Sequence, residues 1–529
     1  MKRFCFLILS ILLLNLSILG EEEEKPEGLN HFNIINLAID GQIEEVEAID
    51  VNQDGLKDLL ITSFIRDKAS YRYRHQASIF FQKKDKGFDI TPDYKWDFDP
   101  KATAIIIGKF TTDTGVQIGY LTKDAFWVYY FAQPENTGTT PPSNGIHIAS
   151  KKLLDVSPIF AYPDKYSLHI WQKPIDLDNN GYDDIIIPTS NGYQIYFQEA
   201  PGGKFTPCII DVPSEKRLET NPSSFIIIKD SLPNIFMSDI NNDGFKDIIL
   251  YNKGKLSYYL QEKTKPFAER FSSKPSGEIS IKILQDDFNP NQIKQASIDL
   301  LDINKDGLID LVVSVMQGGI DDLDRLRTQI AIFFGRKSSE GKDMFYWPES
   351  PDQIINVKGI VPLIAFDDVN EDGNADLITA SFQMDFLSNL KKVFVRYLKL
   401  TYRIQAFQPK IQQFSDNPDY ERTINFPLDL IGKGQKYFSH IYFKNFDGDG
   451  RPDILTISGP DEDRGKLLIR LARNRKELDN QLMISFYKDD YLLYPLQMPN
   501  KATVLDINSN GKNDIILQYR SRIIIMLSK

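Results

Sequence analysis

The chain has 529 residues, of which 42% are hydrophobic, and its formal net charge is −11 at neutral pH. A chain of this length and composition can bury a large core, and its acidity argues against a basic nucleic-acid-binding surface. The two cysteines, Cys5 and Cys208, exclude a small fold held together by several disulfides. We therefore expect a large globular protein with no nucleic-acid partner.

The N-terminal segment has the pattern of an export signal. Two basic residues precede an apolar run over residues 4–19, and four glutamates follow it directly. Residues 1–20 are therefore predicted to be a signal peptide and residues 21–30 an acidic spacer, with no transmembrane helix after removal of the leader. Ile18 fits a cleavage site poorly, so an uncleaved anchor is the alternative. The predicted location is the periplasm, the cell surface or the medium.

Seven copies of one short acidic loop recur along the chain. They read DVNQDGLKD from Asp50, DLDNNGYDD from Asp176, DINNDGFKD from Asp239, DINKDGLID from Asp302, DVNEDGNAD from Asp368, NFDGDGRPD from Asn445 and DINSNGKND from Asp506. Oxygen-bearing side chains occupy positions 1, 3, 5 and 9, and glycine always occupies position 6. Calcium takes about six to eight oxygen ligands, which alternate positions of a tight loop can supply. The glycine permits the positive φ that folds the chain around an ion.

Each loop therefore offers four side-chain oxygens and, at position 7, a backbone carbonyl. The predicted ligands of up to seven calcium ions are Asp50, Asn52, Asp54, Leu56 and Asp58; Asp176, Asp178, Asn180, Tyr182 and Asp184; Asp239, Asn241, Asp243, Phe245 and Asp247; Asp302, Asn304, Asp306, Leu308 and Asp310; Asp368, Asn370, Asp372, Asn374 and Asp376; Asn445, Asp447, Asp449, Arg451 and Asp453; and Asp506, Asn508, Asn510, Lys512 and Asp514. These positions contain 20 carboxylates, so most of the chain's acidity is assigned to ligands.

The EF-hand is excluded because its loop needs a glutamate at position 12 and flanking helices. Position 12 is Ile61, Ile187, Leu250, Val313, Thr379, Thr456 or Leu517, each within a strand-like run. A single loop of this type could equally be a solvated turn without metal. Its repetition favours a cation site in most copies. The Asp506 copy has amides at positions 3 and 5, so we expect it to bind most weakly.

The spacing of the loops predicts the fold. Successive loop starts are 126, 63, 63, 66, 77 and 61 residues apart, so a degenerate eighth copy is expected around Asp113 and Gly115, without a closing carboxylate. Each loop leads into a strand, and an apolar, often aromatic strand follows, centred near Phe80, Tyr129, Tyr196, Tyr258, Phe333, Tyr397, Ile469 and Ile525. We attribute the aromatic stripe to packing between sheets. With a weaker fourth strand, eight units of about 62 residues predict an all-β protein, a β-propeller of eight four-stranded blades.

The predicted propeller domain covers residues 31–529, with its second repeat degenerate. A spare strand at residues 32–39 precedes the first loop, whereas the last unit lacks a fourth strand. We expect the N-terminal strand to complete the last blade, which removes free sheet edges. The alternative is a seven-bladed ring with one extra repeat. The additional residues of the 77-residue interval, 401–436, form either a longer outer strand or a lip over one face.

In these loops the chain resembles the VCBS and FG-GAP repeat families, whose DxDxDGxxD loops also occur in the integrin α-chain propeller. The resemblance covers nearly all of residues 31–529, is specific in the loops and is loose elsewhere. It implies a calcium-dependent propeller with ions in the hairpins that join the first two strands of a blade, held by positions 1, 3, 5 and 9. Integrin-type ligand recognition is not implied, because it uses the opposite face and a partner chain.

The first functional hypothesis is a binding or adhesion module that holds a protein or glycan. The loops at residues 71–76 and 318–327 combine aromatic or glycine residues with charges, although solvated loops are the simpler interpretation. One alternative is a polysaccharide lyase or hydrolase. The five histidines form no HExxH motif, and neither a GxSxG elbow nor a phosphate-binding loop is present, so no catalytic residue is predicted. A second alternative is a periplasmic scaffold for envelope assembly.

Overall fold

The fold is described from a computed structural model of the chain. It describes residues 31–66, 73–84, 86–112, 115–132, 147–160, 167–200, 202, 204–212, 215–220, 226–252, 254–280, 295–317, 327–338, 345–369, 372–383, 397–427, 440–458, 465–478, 481–486 and 491–529. The predicted signal peptide and acidic spacer lie outside these ranges, as do the loop at 133–145 and most of the loop at 318–327.

The chain forms the eight blades of a β-propeller, as the repeat predicts. The first four blades contain, in chain order, Gln42–Ile49, Asp58–Arg66, Tyr73–Phe80 and Tyr94–Asp97; Ala104–Gly108, Gln117–Leu121, Ala125–Ala132 and His147–Asp155; Ile170–Gln172, Ile185–Thr189, Gly192–Ala200 and Lys204–Asp211; and Asn234–Ser238, Asp247–Asn252, Lys255–Tyr259 and Gly277–Ser280. We number the strands of a blade first to fourth in this order.

The last four blades follow the same order. They contain Gln295–Leu301, Asp310–Gln317, Arg327–Phe333 and Gln353–Lys358; Ile360–Asp367, Asp376–Gln383, Tyr397–Gln405 and Tyr420–Pro427; His440–Lys444, Asp453–Ser458, Gly465–Arg470 and Leu492–Leu496; and Lys501–Leu505, Asp514–Gln518, Arg522–Ser528 and the N-terminal strand Phe32–Ala38. Short hairpins and a 3₁₀ turn at Phe267–Glu269 lie between these strands. Within a blade, hydrogen-bonded neighbours are antiparallel, so every acidic loop lies at the same end of its sheet.

The N-terminal strand closes the ring. Phe32–Ala38 pairs antiparallel with the third strand of blade 8 over its full length, from Phe32 opposite Ser528 to Ala38 opposite Arg522. The expected completion of the last blade by the N-terminus is therefore confirmed. This pairing covers the edge that Arg522–Ser528 would otherwise leave open.

The core is divided among the interfaces between neighbouring blades. Between blades 1 and 2, for example, Ile79 and Trp96 pack against Ile105 and Tyr120, and a comparable cluster joins blade 8 to blade 1 through Ile525 and its neighbours. The aromatic stripe contributes to these clusters, which confirms packing between sheets as its role. Burial of apolar surface therefore holds adjacent blades together.

The stretch that lengthens the 77-residue interval contributes both a hairpin and an outer strand of blade 6. The hairpin pairs Phe407–Gln408 with Gln413–Phe414, and both of its phenylalanines are buried between blades 5 and 6. The fourth strand of blade 6, Tyr420–Pro427, has eight residues, compared with four in blades 1 and 4, eight in blade 3 and nine in blade 2. In its described part this stretch therefore forms a buried hairpin and an outer strand no longer than those of blades 2 and 3.

Blade 3 departs from the regular pattern. Its first strand, Ile170–Gln172, pairs in parallel with the first strand of blade 2, where Ile170 lies opposite Ile105 and Gln172 opposite Ile106. The remaining three strands of blade 3 form their own antiparallel sheet. Blade 2 therefore carries a fifth strand on its first edge, and the first strand of blade 3 is displaced from the second.

Candidate metal centres

The residue at position 1 organises the turn of the acidic loops. In the first loop, Asp50 Oδ1 accepts a hydrogen bond from the backbone N–H of Asp54 at 3.1 Å, and Oδ2 accepts one from Gly55 at 3.0 Å. The same two bonds occur in the loops that begin at Asp176, Asp239, Asp302, Asp368 and Asp506. The side chain at position 5 accepts from the N–H of position 7, as Asp54 does from Leu56 at 2.8 Å. The oxygens of positions 1 and 5 are thus held on the inside of a tight turn.

Two residues of the loop have positive φ. At position 6, Gly55 has φ 88°, as the sequence predicts, and an added Cβ would meet nothing within 4 Å. Backbone conformation and not space therefore demands glycine there. Position 4 is also left-handed although it is not glycine in most copies, with φ 62° at Gln53 and 55° at Lys305. Sequence reasoning missed this second position, because side chains of several kinds occupy it.

The aspartate at position 9 is a buried clamp. Its side chain is fully buried in all seven loops, at Asp58, Asp184, Asp247, Asp310, Asp376, Asp453 and Asp514. In blade 4, Asp247 Oδ2 accepts from the N–H of Ile240 at position 2, 3.0 Å away, and Oδ1 accepts from the N–H of Gln261, 2.8 Å away, beyond the third strand. The other loops repeat this pair of bonds. One carboxylate therefore joins the loop, the second strand and the end of the third strand.

Burial disfavours the ionised form of most closing carboxylates. Desolvation is the largest cause and raises the pKa of Asp58 to about 6, of Asp310 and Asp453 to about 7, and of Asp184 and Asp247 to about 8. The backbone N–H bonds act in the opposite direction, and carboxylates at positions 1, 3 or 5 raise the pKa further. A nearby positive charge would favour the ionised form of each group.

The Asp176 loop brings three carboxylates together. Asp176, Asp178 and Asp184 each place a ligand oxygen within 4.8 Å of the others. Asp178 Oδ1 is buried without a hydrogen-bond partner, whereas Oδ2 accepts a hydrogen bond from Arg270 Nη1 at 2.7 Å. Desolvation raises the pKa of Asp178, and Arg270 opposes that shift. Arg270 comes from blade 4 and lies over the ring of Phe267, 3.9 Å from its centroid. An arginine between two blades thus neutralises part of this acidic cluster.

Three loops differ from the others in their local bonding. In the Asn445 loop, Asn445 Oδ1 accepts from the N–H of Gly448 at position 4, and Arg451 donates to the carboxylate of Asp449. In the last loop, the amide of Asn510 donates to the carbonyl of Ser528 at 2.9 Å, and in the Asp176 loop the amide of Asn180 donates to the carbonyl of Gln198 at 2.9 Å, so in both loops the side chain at position 5 is bound to the third strand. In the loop that begins at Asp368, Asn370 lies outside the described residues.

Most neighbouring loops are hydrogen-bonded to each other. In four of the acidic loops the N–H at position 8 donates to the carbonyl at position 2 of the preceding blade, as Lys246 does to Leu177 at 2.8 Å and Ile309 does to Ile240 at 3.2 Å. In the Asn445 loop position 8 is Pro452, which has no N–H. In blade 4, Gln261 Nε2 adds bonds to the carbonyls of Leu177 and Lys246, at 3.0 and 2.9 Å. These bonds connect most of the loops into a layer on one face of the propeller.

Blade 2 keeps this architecture without the acidic loop. Gln117 occupies the position of the closing aspartate: its Oε1 accepts from the N–H of Phe110 at 2.7 Å, and its Nε2 donates to the carbonyl of Gly115 at 2.8 Å. The N–H of Val116 still donates to the carbonyl of Val51 in blade 1, at 2.8 Å. Asp113 lies outside the described residues. The seven-residue interval between an apolar position 2 and a polar position 9 is a sequence signal that could have identified Gln117.

Two of the histidines lie within hydrogen-bonding distance of glutamates. His75 Nδ1 lies 2.9 Å from Glu44 Oε2, and His169 Nδ1 lies 3.2 Å from Glu45 Oε1, both on the first strand of blade 1. Glu44 Oε1 also accepts from the N–H of Leu168 at 3.0 Å. These contacts link blade 1 to the displaced strand of blade 3, and His75 lies within the strand Tyr73–Phe80.

Comparisons with known proteins agree with this architecture. Residues 239–313, which contain two consecutive acidic loops, match the FG-GAP-like repeat family. A search of the curated proteins finds no match. Among the described residues, no helix is long and apolar enough to cross a membrane.

Two similar solved structures cover most of the chain at low identity. One is a structure of an Agrocybe aegerita lectin that recognises non-reducing terminal N-acetylglucosamine, with 12% identity, a TM-score of 0.34, and coverage of 94% of this chain and 95% of that one. The other is the Photorhabdus luminescens Tc holotoxin pore, with 10% identity, a TM-score of 0.17, and coverage of 93% of this chain and 27% of that one. At these values neither similarity bears on function.

Proposed function

We propose that this FG-GAP-repeat β-propeller is a calcium-stabilised binding module. The observation that carries the calcium proposal is the cluster of Asp176, Asp178 and Asp184, whose ligand oxygens lie within 4.8 Å of one another. Asp178 Oδ1 is buried there without a hydrogen-bond partner. A divalent cation would satisfy that oxygen and offset the mutual repulsion of the carboxylates.

The donor atoms of the other loops suit the same ion. Carboxylate, amide and carbonyl oxygens are the ligands of hard cations, and the seven loops contain neither histidine nor cysteine. Positions 1, 3, 5 and 9 would hold the ion together with the carbonyl of position 7. When bound, calcium would supply positive charge to turns whose acidic groups now crowd one another. Its role is therefore structural.

The binding function is assigned to the opposite face of the propeller. Because the acidic loops join the first and second strands, that face carries the turns between second and third strands and the connections between blades. Such loops on a rigid scaffold commonly carry recognition residues. We assign this face to a protein or glycan partner, and we propose that the protein acts outside the cytoplasm, in the periplasm, at the cell surface or in the medium. The proposed location rests on the N-terminal sequence alone.

The calcium proposal is tested by thermal unfolding and metal analysis. Protein purified in EGTA and then titrated with calcium should gain several degrees in Tm, because an ion that binds only the native state stabilises it by about 2.7 kcal/mol at 100 times its Kd. Magnesium at the same concentration is the control and should give a smaller gain. Elemental analysis should find between one and seven bound calcium ions. An identical Tm in EGTA and in calcium, with no bound ion, would refute the proposal.

The location is tested separately on intact cells of a producing organism. Limited protease treatment should remove the protein if it is displayed on the surface and spare it if it is periplasmic, while a secreted protein should be found in the medium. Recovery of the full-length protein, leader included, from the cytoplasmic fraction alone would contradict export.

A further inference from the structure

An open cavity lies between blades 3 and 4. Its volume is about 510 Å³, within the range of small-molecule sites. Phe160, Trp171, Leu232, Ile235 and Phe236 contribute half-buried walls. Apolar side chains that remain partly exposed around a concave space are unfavourable unless something covers them.

The displaced strand of blade 3 accounts for the cavity. Ile170–Gln172 is paired with blade 2, so the strand that would lie beside Ile185–Thr189 is missing from that edge. Pro188 and Tyr193 flank the turn between the second and third strands of blade 3, and Asn234 begins the first strand of blade 4. Because acidic loops lie at the other ends of these strands, the cavity belongs to the opposite face of the propeller.

Side chains and a loop form hydrogen bonds with backbone groups along the edge of the second strand of blade 3 that lacks a neighbouring strand. Gln172 Nε2 donates to the carbonyl of Asp184 at 2.6 Å, and its Oε1 accepts from the N–H of Ile186 at 2.8 Å. Trp171 Nε1 donates to the carbonyl of Ile186 at 2.7 Å, and the N–H of Ile159 donates to the carbonyl of Pro188 at 2.9 Å. The edge is therefore no template for an added strand, because these backbone groups already have partners.

These hydrogen bonds indicate which class of ligand the cavity can bind. The amide of Gln172 and the indole N–H of Trp171 are occupied as described, and the Tyr193 hydroxyl donates to the carbonyl of Pro233. Each of these polar side chains is already hydrogen-bonded within the protein, whereas Asn234 stands at the exposed rim. A sugar would have to surrender its hydrogen bonds with water for few replacements, which is costly. An uncharged apolar molecule would lose none.

We propose that the cavity between blades 3 and 4 binds an uncharged, apolar small molecule. The aromatic walls formed by Phe160, Trp171 and Phe236 favour a ligand with a flat ring system, since ring contacts add to the burial of apolar area. Phe160 and Trp171 make an edge-to-face contact with centroids 5.3 Å apart, so two of the three rings pack against each other. The inference goes beyond the calcium proposal and does not depend on it.

The test uses the neutral fluorophore N-phenyl-1-naphthylamine with the full-length protein in calcium. We expect a saturable rise in fluorescence with about one equivalent bound. Ile235→Trp, which fills the cavity, should weaken binding at least tenfold. The matched control is Ile354→Trp, at an exposed position on the outer strand of blade 5, and it should bind like the wild type. N-acetylglucosamine in excess should not displace the probe.

A second variant covers the case in which Ile235→Trp does not fold, as judged by its Tm. Asn234→Trp blocks the mouth from an exposed position and should also weaken binding tenfold. Equal binding by all folded variants, displacement by N-acetylglucosamine, or no saturable binding by the wild type would overturn the proposal. Repeating the titration in EGTA keeps the two proposals apart, because probe binding without any effect of calcium on Tm would refute only the calcium role.

Discussion

Lys57 Nζ donates a hydrogen bond to the backbone carbonyl of Asp506 at 3.0 Å, which joins the first acidic loop to the last across 449 residues of sequence. The N–H of Lys57 also lies 3.5 Å from the carbonyl of Ile507. In blade 4, Lys246 Nζ donates the equivalent hydrogen bond to the backbone carbonyl of Asp176 at 2.6 Å. The junction between blades 8 and 1 is therefore built like the junction between blades 3 and 4 on this face of the ring.

Replacement of Lys57 tests this bond at the point of closure. Lys57→Met keeps the length of the side chain but removes the donor, so the free energy of unfolding should fall by about 1 kcal/mol. Urea denaturation followed by tryptophan fluorescence measures the difference. Lys246→Met is the matched control for a junction within the chain and should lose a similar amount. Wild-type stability in both variants would show that these bonds contribute nothing.

The N-terminal strand should be essential to stability. Leu37 is 1% exposed and packs between blades 8 and 1, so Leu37→Ala should lower the free energy of unfolding by about 2–5 kcal/mol. Asn36, its exposed neighbour in the same strand, provides the control, and Asn36→Ala should change stability by less than about 0.5 kcal/mol. Calorimetry of both variants decides the matter. Similar Tm values for the two would contradict the closing role of this strand.

The closing aspartates and the remaining loop positions should behave differently. Asp247→Asn places an NH₂ group against one of two backbone N–H donors, so it should cost about 1–3 kcal/mol even in excess EGTA. Asp243→Asn, at the exposed position 5, keeps an oxygen for the N–H of Phe245 and should cost little in EGTA. In calcium, Asp243→Asn should lose part of the metal-dependent gain in Tm. Equal losses by both variants in EGTA would argue against the clamp.

The glycine at position 6 should be needed because of its positive φ and not because space is short. Gly55 has φ 88° and open space where a Cβ would lie, so Gly55→Ala should cost about 1–2 kcal/mol through backbone strain. Gly55→Asn should cost less, because asparagine tolerates left-handed conformations better than alanine does. Denaturation in EGTA isolates this effect from any ion. An alanine variant as stable as the asparagine variant would contradict the strain argument.

Much of the fold follows from local patterns in the sequence. Alternating apolar residues predict the strands, and the seven acidic loops with their glycines predict where the first strand of a blade turns into the second. The interval of about 63 residues then places blade 2 although its loop is degenerate, and the leftover strand before Asp50 predicts the closure of blade 8. These features depend on the sequence of a few neighbouring residues or on a regular repeat. A single sequence shows both kinds of pattern.

The sequence by itself thus determined the eight-bladed ring and the positions of its acidic loops, because both are set by local conformation and repetition. Only the tertiary structure decided that Ile170–Gln172 pairs with blade 2, and that Gln117 replaces an aspartate as a clamp. It also placed Arg270 of blade 4 against Asp178. Each of these features depends on contacts between distant segments of the chain. The free energy of such contacts is set by the packing of whole sheets, and neither the order nor the spacing of residues reveals it.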